Sequence, residues 1–267
     1  MNRLPLEKRT QILGLLVEGN SLRATSRLAD VSINTVTKLL VDLGTACAEY
    51  HHHNVINVRA SRVQCDEIWA FVGAKAKNVR PEKEAQGWGD VWTWTALDAD
   101  SKLCVSYRVG GRDGTIAYEF MQDLAFRLKN RVQLTTDGHR VYLNAVEDAS
   151  YAMLVKIYGS DSSNDSRYSP PEVIECKPIA ITGNPDPKHI STSFVERQNL
   201  TMRMGMRRFT RLTNAFSKKV ENHAAMVAIH FMHYNFARVH KTLRITPATA
   251  AGIADHVWSL EEIVVMA

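Results

Sequence analysis

The 267-residue chain is poor in cysteine and has no long apolar run. Its four cysteines, Cys47, Cys65, Cys104 and Cys176, form no C-x-x-C pair. That argues against a disulfide framework and against a zinc ribbon, and it fits a reducing cytosol. No run of about 18 apolar residues occurs, so no membrane span is expected. The start, Met1-Asn2-Arg3-Leu4-Pro5-Leu6-Glu7-Lys8-Arg9, is charged and does not read as a signal peptide. The sequence shows no internal repeat. What is present is a core: 45% of residues are hydrophobic, which excludes wholesale disorder. The length allows one large domain, or a small domain followed by a medium one.

Acidic residues are scarce where basic ones gather. The formal net charge is only +5, but residues 192–245 hold ten Lys and Arg against Glu196 and Glu221. That stretch alone carries +8, leaving −3 for the rest. Such a concentration points to a polyanion, most often a nucleic acid. The alternative is a solvated helix surface.

Residues 5–43 have helical periodicity in three short pieces. Leu6, Ile12, Leu13, Leu16 and Val17 mark the first, which Gly19-Asn20 ends. Ser21 can cap a second helix and Ser32 a third, with the tight turn Asp30-Val31 between them. Two short helices across a tight turn, with one in front, form a helix-turn-helix arrangement. In such motifs the start of the last helix meets base edges, which singles out Asn34, Thr35, Thr37 and Lys38. A plain three-helix bundle is the alternative. Residues 44–62 read as a connector. The run His51-His52-His53 lacks partner ligands at metal-binding spacing and reads as solvated linker.

From residue 63 the period changes to two. Strands are expected over 63–72, 91–97, 103–109, 132–136 and 152–157, with a loop over 75–89. Helices are expected over 115–130, briefly from 141, again from 193, and over 217–236. The order βββ-α-β-α-β gives a mixed sheet with helices packed on it, an α/β class. Residues 158–190 hold five of the eight prolines and read as an irregular insertion.

Three acids stand at pointed places. Asp66 lies within the first strand, Asp137 at the end of the fourth, and Glu196 in the first turn of a basic helix. A charge in mid-strand is costly unless it is paired or bound to metal. Carboxylate oxygens suit Mg²⁺, and two such ions can drive phosphoryl transfer. Each acid also has an ordinary reading. Asp66, beside Glu67, fits a surface charge on an edge strand. Asp137-Gly138 fits a turn. Ser193-x-x-Glu196 fits a capping box.

Taken together, three blocks resemble the DDE transposases of bacterial insertion sequences. They are Gln64-Cys65-Asp66-Glu67-Ile68-Trp69, Thr135-Thr136-Asp137-Gly138 and Phe194-Val195-Glu196-Arg197-Gln198-Asn199. Within that family the chain is most similar to the insertion sequence one (IS-one) type. The segment from Tyr234-Asn235-Phe236 through Arg238, His240-Lys241-Thr242-Leu243 and Thr246-Pro247-Ala248 shares the likeness. The resemblance spans residues 5–255. It implies a ribonuclease-H-like catalytic domain over 63–212, a helix-turn-helix domain over 1–50, a linker over 51–62 and a C-terminal helical segment over 213–267. It implies two Mg²⁺ ions on Asp66, Asp137 and Glu196, with Mn²⁺ able to substitute.

The resemblance further places Asn199 and Arg203 on the helical face of Glu196, where they would contact the DNA backbone. At four-residue steps Arg207 and Arg211 would continue that row as phosphate contacts. The expected activity is binding of the terminal inverted repeats of a mobile element, cleavage of its ends, and joining of the 3′-hydroxyls to target DNA. The partners expected are double-stranded DNA, as ends and as target, and a second copy in a homodimer or higher multimer. The expected place is the cytoplasm, on the nucleoid. The alternatives are a non-catalytic DNA-binding regulator or domesticated relative, and a nuclease of the same fold without strand joining. Two departures stand out. The chain lacks cysteines for the zinc module that some relatives carry, and the segment from Asp137 to Glu196 is longer than in compact members.

Overall fold

The computed structural model describes residues 3–146, 149–158, 173–210 and 213–267. Three helices come first: α1 (Leu6–Val17), α2 (Leu22–Leu28) and α3 (Ile33–Asn54). Ser21 and Ser32 cap α2 and α3, each hydroxyl accepting a backbone N–H at 3.1 Å, from Ala24 and from Thr35. Asp30 takes the left-handed conformation, φ +50°, at the turn between them. Aspartate tolerates that region better than most residues, which is how this turn forms without glycine.

The connector expected over 44–62 is helical for most of its length, because α3 runs on to Asn54. Cys47 and His51 are buried on its inner face. The His51 ring lies 3.2 Å from the Cys104 carbonyl, and Arg127 donates to the carbonyls of His51 and Val55 at 3.1 and 3.0 Å. The last turn of α3 is thereby satisfied by the domain it leads into. Of the three histidines, His52 and His53 are exposed and His51 packs inward. Gly44, inside α3, lets α7 (Val220–Met232) cross closely: a Cβ there would sit 2.4 Å from that of Ala225.

The sheet has six strands: β1 (Arg62–Val72), β2 (Gly89–Asp98), β3 (Cys104–Gly110), β4 (Gln133–Asp137), β5 (Ser150–Tyr158) and β6 (Val173–Thr182). Their order is β3-β2-β1-β4-β5-β6. The β1–β4 and β4–β5 pairs are parallel, and the others are antiparallel. This mixed α/β sheet is consistent with the ribonuclease-H-like order. Both its faces are covered. From β3, Ser106 bonds Asp123 of α5 (Gly114–Arg127), and its neighbour Tyr107, pointing the other way, stacks on Phe231 of α7 at 4.8 Å. A short helix, α4 (Pro81–Glu84), interrupts the loop after β1.

The irregular insertion expected over 158–190 is corrected by β6. It pairs along β5 from Val173↔Tyr158 to Thr182↔Tyr151. Two features hide it in the sequence. Every residue of β6 is exposed, so no alternation is imposed on it. It also holds Pro178, which an edge strand tolerates and a central one does not. The rest of the expected insertion before residue 173 lies outside the described residues.

The remaining elements are α6 (Ser193–Gly205), α7, α8 (Pro247–Ala250) and α9 (Leu260–Val265). α7 continues into a wide turn over His233–Ala237, where Asn235 accepts from the Cys104 N–H and donates to its carbonyl, both at 3.0 Å. The Tyr234-Asn235-Phe236 block therefore stitches the start of β3 to the C-terminal helices. α9 packs on α1, and Arg9 donates to the Val264 and Ala267 carbonyls at 3.2 Å.

Candidate metal and nucleic-acid site

β1 and β4 lie side by side and parallel, paired from Arg62↔Gln133 to Cys65↔Thr136. Pairing stops there. Asp66 is the next residue of β1, and Asp137 closes β4. Crevices of this kind, beyond the carboxyl ends of parallel strands, are where such sheets bind ligands. Glu67 joins the two aspartates, and one oxygen from each of the three lies within 4.8 Å of the others.

Each carboxylate is held. Asp66 accepts from the Glu67 N–H through Oδ1 and from Asn199 Nδ2 through Oδ2, both at 2.8 Å. Glu67, whose side chain is 0% exposed, accepts from Arg112 Nη2 at 3.0 Å and from Nε at 3.2 Å. The same Nη2 lies 3.8 Å from Asp137 Oδ2, and the guanidinium sits 4.5 Å from the Trp92 ring. Asp137 Oδ1 accepts from the His139 N–H at 3.0 Å.

One arginine does not balance three acids. Burial, then the charges of Asp137 and Glu67, push Asp66 up to about 7. Burial, then Asp137, push Glu67 up to about 7 against the opposing pull of Tyr142 and Arg112. Glu67 Oε1 and Tyr142 OH are both buried outside hydrogen-bond geometry, though close enough to shift each other's ionisation. Asn199 Oδ1 is also buried, with no partner among the described residues.

Glu196 stands apart from the three. It projects from the first turn of α6, and its Oε1 accepts from Lys156 Nζ and Thr192 Oγ1. Its charge still reaches Asp66 and raises it. The capping box expected on Ser193 is not formed. Thr192 is the N-cap, Ser193 is already inside the helix, and Glu196 reaches the Thr192 hydroxyl. The first amides of α6 are satisfied from the sheet instead. Gln64 Oε1 accepts the N–H of Phe194 at 2.9 Å and of Val195 at 3.1 Å. Gln64 is buried on β1, two residues before Asp66, so it ties the strand that carries one acid to the helix that carries another.

Asn199 and Arg203 do share the Glu196 face of α6, but Asn199 is buried against Asp66 rather than open to a DNA backbone. The row expected at four-residue steps breaks after Arg203. α6 ends at Gly205, a poor helix former, and Arg207 begins a short 3₁₀ turn. Arg207 is exposed, and Arg211 lies outside the described residues.

At the start of α3, Asn34 and Lys38 are exposed, and Thr35 and Thr37 are half-buried. Lys38 pairs with Asp42, and Thr37 donates to the Ile33 carbonyl at 2.8 Å. Thr37 and Ile33 line a cleft of about 660 Å³ together with Arg23, Arg207 and Lys218. The cleft brings the start of α3 and part of the basic stretch onto one concave surface.

No protein-family model and no curated protein matches the chain. Among solved structures it is similar to the crystal structure of the Mos1 strand transfer complex, at 12% identity and a TM-score of 0.22. That match covers 86% of this chain and 78% of the other. At that TM-score the likeness carries no functional argument, and the chemistry rests on the residues.

Those residues fit a divalent cation. The donors are hard, anionic oxygens, which suit Mg²⁺ or Mn²⁺ and not the softer metals. The cluster carries more negative charge than Arg112 offsets, and a buried oxygen of Glu67 and one of Asn199 lack partners. Sequence reasoning missed Glu67, Arg112, Gln64 and Lys156. Strand alternation puts Glu67 on the face opposite Asp66 and holds along the β1–β2 ladder, but the β4 pairing stops at Cys65, and there both carboxylates come within reach of Asp137. Arg112 sits in the glycine-rich turn Gly110-Gly111-Arg112-Asp113-Gly114, where no periodicity marks it. Gln64 stood inside the quoted block, and its contact with α6 is legible only in three dimensions.

Proposed function

We propose that the chain is a DDE transposase of the insertion sequence one (IS-one) type. It binds the terminal inverted repeats of a mobile element, cleaves the ends and joins the 3′-hydroxyls to target DNA. The observation that carries this reading is the convergence of Asp66, Glu67 and Asp137 where β4 ends beside the middle of β1, with Glu196 on the helix that Gln64 ties to β1.

In this reading Asp66, Asp137 and Glu196 hold two Mg²⁺ ions, and Glu67 and Arg112 shape the charge around them. Bound there, the ions supply a nucleophile at neutral pH and stabilise the leaving oxygen of an in-line displacement. The chain's own residues set the geometry. Asn199 fixes the Asp66 carboxylate, Gln64 fixes α6 against β1, and Lys156 and Thr192 hold Glu196 until an ion takes the place of the lysine. Residues 1–50 act as the DNA-reading helix-turn-helix unit, with Asn34, Thr35, Thr37 and Lys38 at the bases. Arg203, Arg207 and Arg211 take backbone phosphates. The cleft shared by Thr37, Arg207 and Lys218 supports that division of labour. Residues 51–62 lead into a catalytic unit over 63–212, followed by the helical segment 213–267.

Incubating the protein with labelled element ends, target DNA and Mg²⁺ tests the reading. Cleavage and joining are expected. Cleavage without joining marks a nuclease, and binding without cleavage marks a regulator.

A further inference from the structure

Among the described residues β6 forms the outer edge of the sheet, with its whole length exposed. Val173, Ile174, Ile179 and Ile181 are 41%, 70%, 44% and 37% exposed along it. A long edge strand with apolar side chains and free backbone groups is a template for another strand. Natural edges are usually blunted. This one carries Glu175, Lys177 and Pro178 in its middle.

The order of those residues decides the occupant. We propose that β6 pairs antiparallel with β6 of a second copy, about a two-fold axis at Cys176. In that register Glu175 faces the partner's Lys177, and Lys177 faces the partner's Glu175. Ile174 faces the partner's Pro178, and Val173 faces the partner's Ile179. Every cross-strand pair around the axis is then opposite in charge or apolar on both sides. Shifting the axis by one residue sets Lys177 against Lys177 or Glu175 against Glu175. Shifting it by half a residue sets a charge against Cys176 or Pro178. One register alone is self-complementary, which is what an isologous interface requires. Glu175 and Lys177 lie on one face of the strand, 3.4 Å apart, so both ion pairs form on the same side of the extended sheet. Pro178 removes a backbone donor, which keeps the contact weak enough to be reversible.

This interface goes beyond the proposed function and needs none of its DNA chemistry. Cys176 is exposed, whereas Cys47, Cys65 and Cys104 are buried, so it reports on the axis selectively. The full-length protein, without DNA, is followed by sedimentation equilibrium. In parallel it is treated with a short bis-maleimide, and the linked peptides are identified by mass spectrometry. A concentration-dependent dimer joined through Cys176 of both copies is expected. Glu175→Lys and Lys177→Glu should each weaken the dimer by about tenfold, through two like-charge pairs across the axis. The double swap should restore it to within about threefold of wild type. Circular dichroism confirms that each variant is folded. A monomer at every soluble concentration overturns the proposal, as does a dimer indifferent to the single swaps, or a folded double variant that fails to recover. None of these results depends on whether the protein cuts DNA.

Discussion

The strand ends and the first turn of α6 treat their acids in opposite ways. Where β4 ends beside the middle of β1 the fold crowds Asp66, Glu67 and Asp137 around one arginine, and burial and repulsion drive Asp66 and Glu67 up to about 7. On α6, Glu196 accepts from a lysine and a hydroxyl. The strand half of the site is short of positive charge, and the helix half is provided with it. A cation therefore has most to offer beside Asp66 and Asp137. In the proposed reading Glu196 must exchange Lys156 for it, so that the sheet fixes where an ion binds and α6 supplies the movable ligand.

The sharpest way to break this contrast is Asp66→Asn. Volume is kept and a ligand charge is lost, so cleavage of end DNA should fall to background while a gel shift on the ends stays intact. Near-wild-type cleavage would remove Asp66 from the site. Asn199→Ala takes away a partner of that ligand without touching the ligand itself. Outer-shell partners of this kind cost about 10–100-fold in metal affinity or activity, read from the Mg²⁺ dependence of the cleavage rate.

Gln64→Leu tests the tie between the two halves. It leaves the Phe194 and Val195 amides without their acceptor, at a cost of about 1–3 kcal/mol in urea unfolding. A variant as stable as wild type would mean that α6 caps itself. Lys156→Met has the smallest expected effect on stability, below about 1 kcal/mol, because the pair is partly exposed. It should nevertheless lower the Mg²⁺ concentration that half-saturates cleavage, by freeing Glu196. An unchanged or higher requirement would show that the lysine positions Glu196 rather than competing for it.

How much of this was legible in the sequence depends on the range of the signal. Local patterns placed β1 through β5 and α1, α2, α5, α6 and α7, because a helix buries one face and shows a period, and a strand covered on both faces shows as a short apolar run between turns. β6 was missed because it buries nothing and holds Pro178. The reach of α3 to Asn54 was missed because three histidines look solvated, yet His51 is packed under β3. Asp66 and Asp137 stood out as charges beside apolar residues. Glu67, Arg112 and Gln64 did not, since each acquires its role from where β1 runs past β4 and where α6 docks. The Ser193 box failed because the helix starts one residue earlier: the Glu196 N–H goes to the Thr192 carbonyl and the Ser193 N–H to the Ser191 hydroxyl.

The measurement that bears most directly on the central claim is the effect of Mg²⁺ on thermal unfolding at two pH values. The folded-state values of Asp66 and Glu67 lie above their unfolded ones, so the native state binds more protons than the unfolded state between about pH 4 and pH 7. Without a divalent ion, stability should therefore fall as pH rises through that window. Mg²⁺ replaces the protons, so the midpoint should rise by several degrees at pH 8 and hardly at all at pH 5, with no rise at either pH in Asp66→Asn. An equal shift at both pH values, or a shift that survives Asp66→Asn, would contradict a cation site where β4 ends beside Asp66 and Glu67 of β1.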